Sequence, residues 1–282
     1  MNDLQKCQLD LLKAFVAVCE KHNLRYFLVA GSCLGAVRHQ GFIPWDDDID
    51  VGMPREDYDK YIELQKEYEG TKYFIQTYKT DPHYLYNFAK LRDSSTTYIE
   101  NFYKTYQMNH GVWLDIFPLD GFSYELENGA KFAGKIKSTW RCARISYLWG
   151  LRRKFHKRTF FKDLLLNMVA ILFFWTNVGH YRNKRLEKRQ KKVPYAEAKT
   201  AGNWCALYYK KEAIDKSWFG EGTKAMFEGL EVVIPKEYDK YLKSLYNDYM
   251  QYPPEDKRVG HHINSGFSLT QGYEEYMKEH RM

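Results

Sequence analysis

The stretch Gly31–Pro54, GSCLGAVRHQGFIPWDDDIDVGMP, decides how the rest of the chain is read. A glycine–serine turn leads into a short helical pattern over Cys33–His39, then a proline–tryptophan hinge and the aspartates Asp46, Asp47, Asp48 and Asp50. Side chains alternate in an extended chain, so Asp46, Asp48 and Asp50 fall on one face and Asp47 on the other. Ile49 and Val51 alternate with Asp48 and Asp50, giving a strand with one apolar side and two carboxylates opposite. Carboxylates that close repel, and a bound cation is the usual way to hold them together. The pattern points to a magnesium-dependent phosphoryl-transfer site. A calcium-binding EF-hand loop starting at Asp46 would need glycine at its sixth position and glutamate at its twelfth. Val51 and Asp57 stand there instead, which excludes that module.

Working outward, residues 3–22 carry Leu4, Cys7, Leu11, Phe15 and Val18 at a helical period, and Tyr26–Ala30 reads as a short buried strand. A strand running into Gly31-Ser32 and a helix N-terminus is a natural anion site, because free backbone N–H groups point at the ligand. Downstream, Pro54 opens a helix over Arg55–Glu69, and Lys72–Tyr78, Phe88–Arg92 and Thr96–Glu100 read as strands. Gly111–Leu119, GVWLDIFPL, is an apolar strand with one acid, Asp115, between Leu114 and Ile116. A buried carboxylate without a partner costs several kcal/mol or is forced neutral, so Asp115 requires a hydrogen-bonded partner or a metal.

The 282 residues suffice for one large domain or two modest ones, and 24 Tyr with 17 Phe exclude a disordered chain. The five cysteines form no CxxC pair, which argues against a zinc site or a disulfide framework. No signal-peptide pattern opens the sequence. Residues 151–192 hold 13 Lys and Arg against 2 acids, so the net charge of +7 belongs to this segment. Within it, basic stretches flank the apolar run Leu164–Val178, which falls short of the roughly 20 residues needed to span a bilayer. Two readings stand: a segment dipping into an anionic leaflet, or a buried helix with solvated basic ends. Lys135–Leu148 reads as helical. No nucleic-acid motif accompanies the basic run, and no nucleic-acid partner is expected. Further on, Phe227–Ile234 reads as strand or turn and Lys236–Tyr249 as a helix, stopped by Pro253-Pro254.

Taken in order, GSCLGAVRHQGFIPWDDDIDVGMPREDY, KLRDSSTTYIE (90–100), GVWLDIFPLDG (111–121) and the later FEGLEVVIPKEYDKYL and LYNDYMQYPPEDKRVGHH resemble the LicD family. Fukutin-related proteins share this core, and their zinc-binding insert has no cysteine counterpart here. Where the family often has glycine before Asp248, this chain has Asn247. The resemblance implies an α+β nucleotidyltransferase fold, a mixed sheet flanked by helices, with an inserted basic and apolar helical segment. The expected divisions are a core over 1–125, the insertion over 126–200, and a helical part over 201–282 completing the same domain. It also implies transfer of phosphocholine, or a related phospho-alcohol, from CDP-choline or a similar CDP-alcohol. The acceptor would be a glycan or lipid-linked glycan hydroxyl of a cell-surface precursor such as teichoic acid or lipopolysaccharide, with CMP leaving.

Carried over by residue, the resemblance makes Asp48, Asp50 and Asp115 catalytic and metal-binding, for two Mg2+ or Mn2+ ions, with Asp115 as general base. Asp46 would be an outer helper. Gly31 and Ser32 would contact donor phosphate; Lys90 and Arg92, of one strand parity, would face the cleft and neutralise pyrophosphate. Arg38, His39, Arg258, His261 and His262 would complete the donor site. A cytoplasmic enzyme peripheral to the inner membrane face is expected, in contact with anionic lipid. A choline headgroup requires an aromatic cage, for which Trp113, Trp204 and Tyr208 are candidates. The alternatives are a nucleotidyl- or glycosyltransferase using another nucleotide donor and a catalytically inactive membrane-surface scaffold.

Overall fold

The structure is a computed structural model describing residues 1–84, 86–103, 107–123, 178–204, 211–260 and 262–280. Its first half contains α1 (Asp3–Lys21), β1 (Phe27–Leu28), α2 (Ala30–His39), β2 (Asp50–Pro54), α3 (Arg55–Tyr61), β3 (Tyr73–Gln76), β4 (Ala89–Asp93), β5 (Thr97–Glu100) and β6 (Val112–Ser123). Then follow α4 (Val178–Gln190), β7 (Thr200–Asn203), β8 (Ile214–Asp215), β9 (Thr223–Phe227), β10 (Leu230–Ile234), α5 (Tyr238–Tyr246), β11 (Asn264–Ser268) and α6 (Tyr273–Glu279).

The central sheet runs β1-β2-β6-β4-β3, and β7 with β8 extends it from the far half of β6. Strands β2 and β6 are parallel, and the other pairs are antiparallel, so the sheet is mixed as expected. Val51, Met53, Leu114 and Ile116 are fully buried and, by the β2–β6 register, line one face of the sheet, opposite the face that carries Asp50 and Asp115. Helix α1 is capped reciprocally: Asn2 Oδ1 accepts from Gln5 N, and Gln5 Oε1 accepts from Asn2 N. Its apolar stripe, from Leu9 to Cys19, packs into the core against β4 and β6.

Several boundaries differ from the sequence reading. Helix α2 starts at Ala30, so Gly31 and Ser32 occupy its first turn rather than a turn before it. Strand β2 starts at Asp50, and Asp46–Ile49 form a loop, so strict alternation does not hold there. Helix α3 stops at Tyr61 and a 3-10 turn covers Gln65–Tyr68. The described residues after 201 hold strands as well as helices, including β9 and β10 around the segment Phe227–Ile234 read as strand or turn. β9 and β10 form a hairpin whose turn, Glu228-Gly229, has positive φ at both residues (49° and 80°), matching strand twist. Phe227 at its end packs against Phe42, ring centres 4.9 Å apart. Asn247, after α5, takes φ 58° with ψ −115°, outside the left-handed helical region and in a conformation that glycine adopts most readily.

The second small sheet, β5 with β11, brings the chain after residue 260 back beside the central sheet. The helix expected over Lys135–Leu148 and nearly all of the run Leu164–Val178 lie outside the described residues. Among the described residues no helix is long and apolar enough to cross a membrane.

Candidate active site

Strand register builds the site. Asp50 on β2 pairs with Asp115 on β6, and Asp115 pairs across its other edge with Lys90 on β4. Residues paired in register point to the same face, so Asp50, Asp115 and Lys90 form one row over three strands. Asp48, in the loop before β2, joins this row. Ligand atoms of Asp48, Asp50 and Asp115 all lie within 4.8 Å of one another. A second group shares Asp48: Asp47, Asp48 and His262 satisfy the same limit. The alternation argument turned Asp47 away, but in the loop its carboxylate accepts from His262 N at 2.9 Å and lies 3.0 Å from His262 Nδ1.

The aspartate loop is held from beneath. Gln5 Nε2 donates to Asp46 O at 3.1 Å and Gln8 Nε2 donates to Asp47 O at 2.7 Å, both from buried positions on α1. Ser32 Oγ accepts from Asp50 N at 2.8 Å, so this hydroxyl positions the first residue of β2. A Cβ at Gly31 would come within 3.0 Å of Asp46 Oδ2; glycine leaves that carboxylate room. Ala30, at the head of α2, has φ 46°, a conformation that costs a non-glycine residue about 1 kcal/mol or more. Its N–H donates to the hydroxyl of buried Tyr241 on α5 at 3.1 Å.

The electrostatics follow from crowding. Burial, then the charge of Asp46, pushes the Asp48 carboxyl up to about 7. Burial, then Asp47, pushes Asp46 up to about 6. Burial also raises Asp50 well above the usual carboxylate range, followed by the charges of Asp48, Asp115, Asp46 and Glu212. Burial would lower His262, but its bond to Asp47 and the charge of Asp48 outweigh that and raise it. Asp115 accepts from Trp113 Nε1 at 3.1 Å on Oδ2, while buried Oδ1 has no hydrogen bond and lies 3.1 Å from Lys90 Nζ. Three crowded carboxylates, Asp48 and Asp50 raised by burial and by neighbouring carboxylates, with one buried Asp115 oxygen lacking a hydrogen bond, are a donor set that fits a hard divalent cation.

The remaining sequence candidates divide into groups. Lys90 is buried, 3.6 Å from Glu100 and 3.9 Å above the Trp113 ring centre. Burial would raise Glu100, but Lys90 and Arg92 bring it below its usual value. Arg92 shares the parity of Lys90 but is fully buried, donating to Gln76 Oε1 and Gly111 O at 2.7 Å each. Those two bonds commit Nε and Nη1 to the fold, while Nη2 is buried without a hydrogen bond, 3.8 Å from Glu100 Oε2. Arg38 and His39 lie in the last turn of α2, at the opposite end from Gly31 and Ser32, where Arg38 Nη1 donates to Tyr249 O at 2.7 Å. Arg258 donates to Pro253 O at 2.9 Å. His261 and Tyr208 lie outside the described residues. Trp113 and Trp204 are buried, Trp204 with its ring centre 4.0 Å from that of Phe122, so neither lines an open cage. Sequence reasoning missed the two glutamines, Tyr241 and Glu212. The glutamines carried a signal, as polar residues on the apolar face of α1.

Comparison with known proteins adds an independent line. Residues 23–144 match the family described as "LicD/FKTN/FKRP, nucleotidyltransferase domain". The chain carries a LicD-family domain. Over 273 residues, 95% of this chain and 98% of the relative, it is 28% identical to the lipopolysaccharide cholinephosphotransferase LicD of Haemophilus influenzae. Ribitol 5-phosphate transferase FKRP, human and mouse, is 52% identical over 42 residues, 15% of this chain and 8% of that protein. An uncharacterised Rickettsia prowazekii protein, RP689, is 38% identical over 66 residues, 23% of this chain and 25% of its own. The LicD match thus runs nearly end to end in both chains, whereas the others are local.

Proposed function

We propose that this LicD-family protein transfers a phospho-alcohol from a CDP-linked donor to a glycan hydroxyl, with a nucleotidyltransferase-type core. The carrying observation is the carboxylate group Asp48, Asp50 and Asp115 on a register-fixed row. The end-to-end similarity to a cholinephosphotransferase, and the local one to a ribitol 5-phosphate transferase, support a phospho-alcohol as the transferred group. Asp48, Asp50 and Asp115 would hold Mg2+ or Mn2+, and Asp47 with His262 offers a second position sharing Asp48. Bound there, divalent ions supply charge stabilisation for the attacking and leaving oxygens of an in-line displacement.

This chain's residues do the rest. Asp115 takes the proton of the acceptor hydroxyl as its oxygen bonds to the phosphorus carrying the alcohol. The bridging oxygen keeps the electron pair of the broken P–O bond and leaves with CMP. Lys90, 3.1 Å from Asp115 Oδ1, keeps that carboxylate company before substrate arrives. The α2 N-terminus at Gly31 and Ser32 presents backbone N–H groups to donor phosphate, while the Ser32 hydroxyl sets Asp50 in place. The acceptor would be a lipid-linked glycan at the inner membrane face, a reading that rests on the basic and apolar sequence of residues 151–192.

A thermal-shift screen of CDP-choline, CDP-ribitol, CDP-glycerol, CTP and nucleotide sugars, with and without Mg2+, tests the donor, because a ligand bound by the native state raises the melting point. A CDP-alcohol should give the largest shift, only with Mg2+, and Asp48→Asn should remove it along with turnover. A preference for CTP or a nucleotide sugar, or near-normal turnover by Asp48→Asn or Asp115→Asn, would refute the assignment.

A further inference from the structure

Two guanidiniums share one half-exposed aromatic ring beside the acid groups. Arg38 Cζ lies 4.7 Å from the centre of the Tyr252 ring, and Arg258 Cζ lies 5.5 Å from it. Arg258 is also 5.7 Å from the Trp45 ring centre, and the Trp45 and Tyr252 rings are 6.1 Å apart. Tyr252 itself is 49% exposed. Each cation is tethered to a main-chain carbonyl, Arg38 to Tyr249 O and Arg258 to Pro253 O. Those tethers fix the guanidiniums over the ring.

Two like charges on one ring repel, and the ring's negative face only partly offsets this. Among the described residues the carboxylate ion-paired here is Glu255, 3.8 Å from Arg258 Nη1 with its side chain 91% exposed, which screens it from doing much. His39 accepts from Arg38 Nε at 3.0 Å and so stands there as a neutral ring. The complement such a pair lacks is an anion that both guanidiniums can grip, for which planar arginine forks suit phosphate. Position ties this patch to the reaction. Trp45 directly precedes Asp46, and a Cβ on Gly260 would come within 2.6 Å of Asp47 Oδ2. The segment carrying Tyr252 and Arg258 therefore runs along the aspartate loop.

We propose that Tyr252 is a positioning residue that mounts Arg38 and Arg258 as the seat for the phosphate of the departing nucleoside monophosphate. This rests on the donor being a nucleoside diphosphate-alcohol. When the bridging P–O bond breaks, the oxygen keeps both electrons and the nucleotide gains a negative charge. The arginine pair meets that charge where it appears.

The test compares wild type, Tyr252→Phe, Tyr252→Ala and Arg258→Gln in the transfer reaction, with CMP and cytidine as inhibitors. Calorimetric titrations with CMP and inorganic pyrophosphate run alongside. Tyr252→Ala and Arg258→Gln should each raise the CMP inhibition constant and donor KM about tenfold or more. Tyr252→Phe, which keeps the ring, should stay within about twofold, and cytidine inhibition should be unchanged in all four. Arg258→Gln leaves Tyr252 in place, so it decides the matter even if Tyr252→Ala misfolds. Unchanged CMP inhibition in Arg258→Gln overturns the proposal. So does equal weakening of cytidine, which would make the ring a base platform, or equal loss in Phe and Ala. If wild type turns over no CDP-alcohol yet binds pyrophosphate through Arg258 and Tyr252, the transfer reading fails and the anion seat stands. If wild type binds neither CMP nor pyrophosphate, the seat is refuted.

Discussion

Arg55 and Asp120 form the ion pair whose removal should be felt most. Arg55 Nε lies 2.6 Å from Asp120 Oδ1 and Nη2 lies 2.8 Å from Oδ2, with the side chains 7% and 0% exposed. The pair sits one step beyond the Pro54–Leu119 register, where β2 hands over to α3 beside β6. Arg55→Met leaves Asp120 buried without its cation; Asp59 at 3.5 Å loses a weaker contact. Breaking a buried pair from one side costs about 3–5 kcal/mol. With a urea slope of about 2–3 kcal/mol/M, the unfolding midpoint should fall by about 1.5 M at unchanged slope. Replacing both partners, Arg55→Met with Asp120→Leu, should recover most of this, because no charge is left behind. Arg55→Lys should fall between, since an ammonium cannot make the two-pronged contact. Urea unfolding at pH 7 reads wild type, these three variants and Asp120→Leu alone. A loss below about 1 kcal/mol in Arg55→Met, or a double variant as unstable as the summed singles, would refute the reasoning.

Two further outcomes follow from other contacts. Gln8→Ala removes the donor to Asp47 O, and should cost about 1 kcal/mol of stability and lower kcat/KM about tenfold by loosening the aspartate loop; unchanged kcat/KM would show that α1 does not position it. Burial would raise the Glu187 carboxyl, but hydrogen bonds from Lys191 and Tyr78 bring it down to about 2. Since its folded value lies below the unfolded one of 4.5, its stabilisation is complete above 4.5 and lost as pH falls towards 2, by about 3 kcal/mol at most. Glu187→Gln should flatten the melting-point slope over that interval, and an unaltered slope would refute the assignment.

The three-stranded row of the site was legible in outline from the sequence. Asp48 and Asp50 announced themselves by crowding, and Asp115 by standing alone among apolar residues. What local pattern could not supply was register, which sets Asp115 between Asp50 and Lys90 and is fixed by pairing between strands far apart in sequence. Parity treated Asp46–Asp50 as one strand, whereas the loop frees Asp47 to turn towards His262. Arg92 satisfied the same parity as Lys90, yet a step of two residues along the strand is enough to enclose it among Gln76 and Gly111. Ser32 was read as a phosphate contact, but its hydroxyl serves the backbone of Asp50, a contact that no spacing rule foretells.

The site is fastened by contacts that span most of the chain. Asp47 meets His262 across 215 residues, and Ala30 meets Tyr241 and Arg38 meets Tyr249 across 211 each. Contacts of such separation pay their loop-closure entropy late in folding and are natural points of partial opening. The clasp formed by residues 249–260 and His262 can then release while the sheet stays folded. Inactivation by urea should precede loss of far-UV signal, and activity becomes a more sensitive gauge of this clasp than of the fold that carries it.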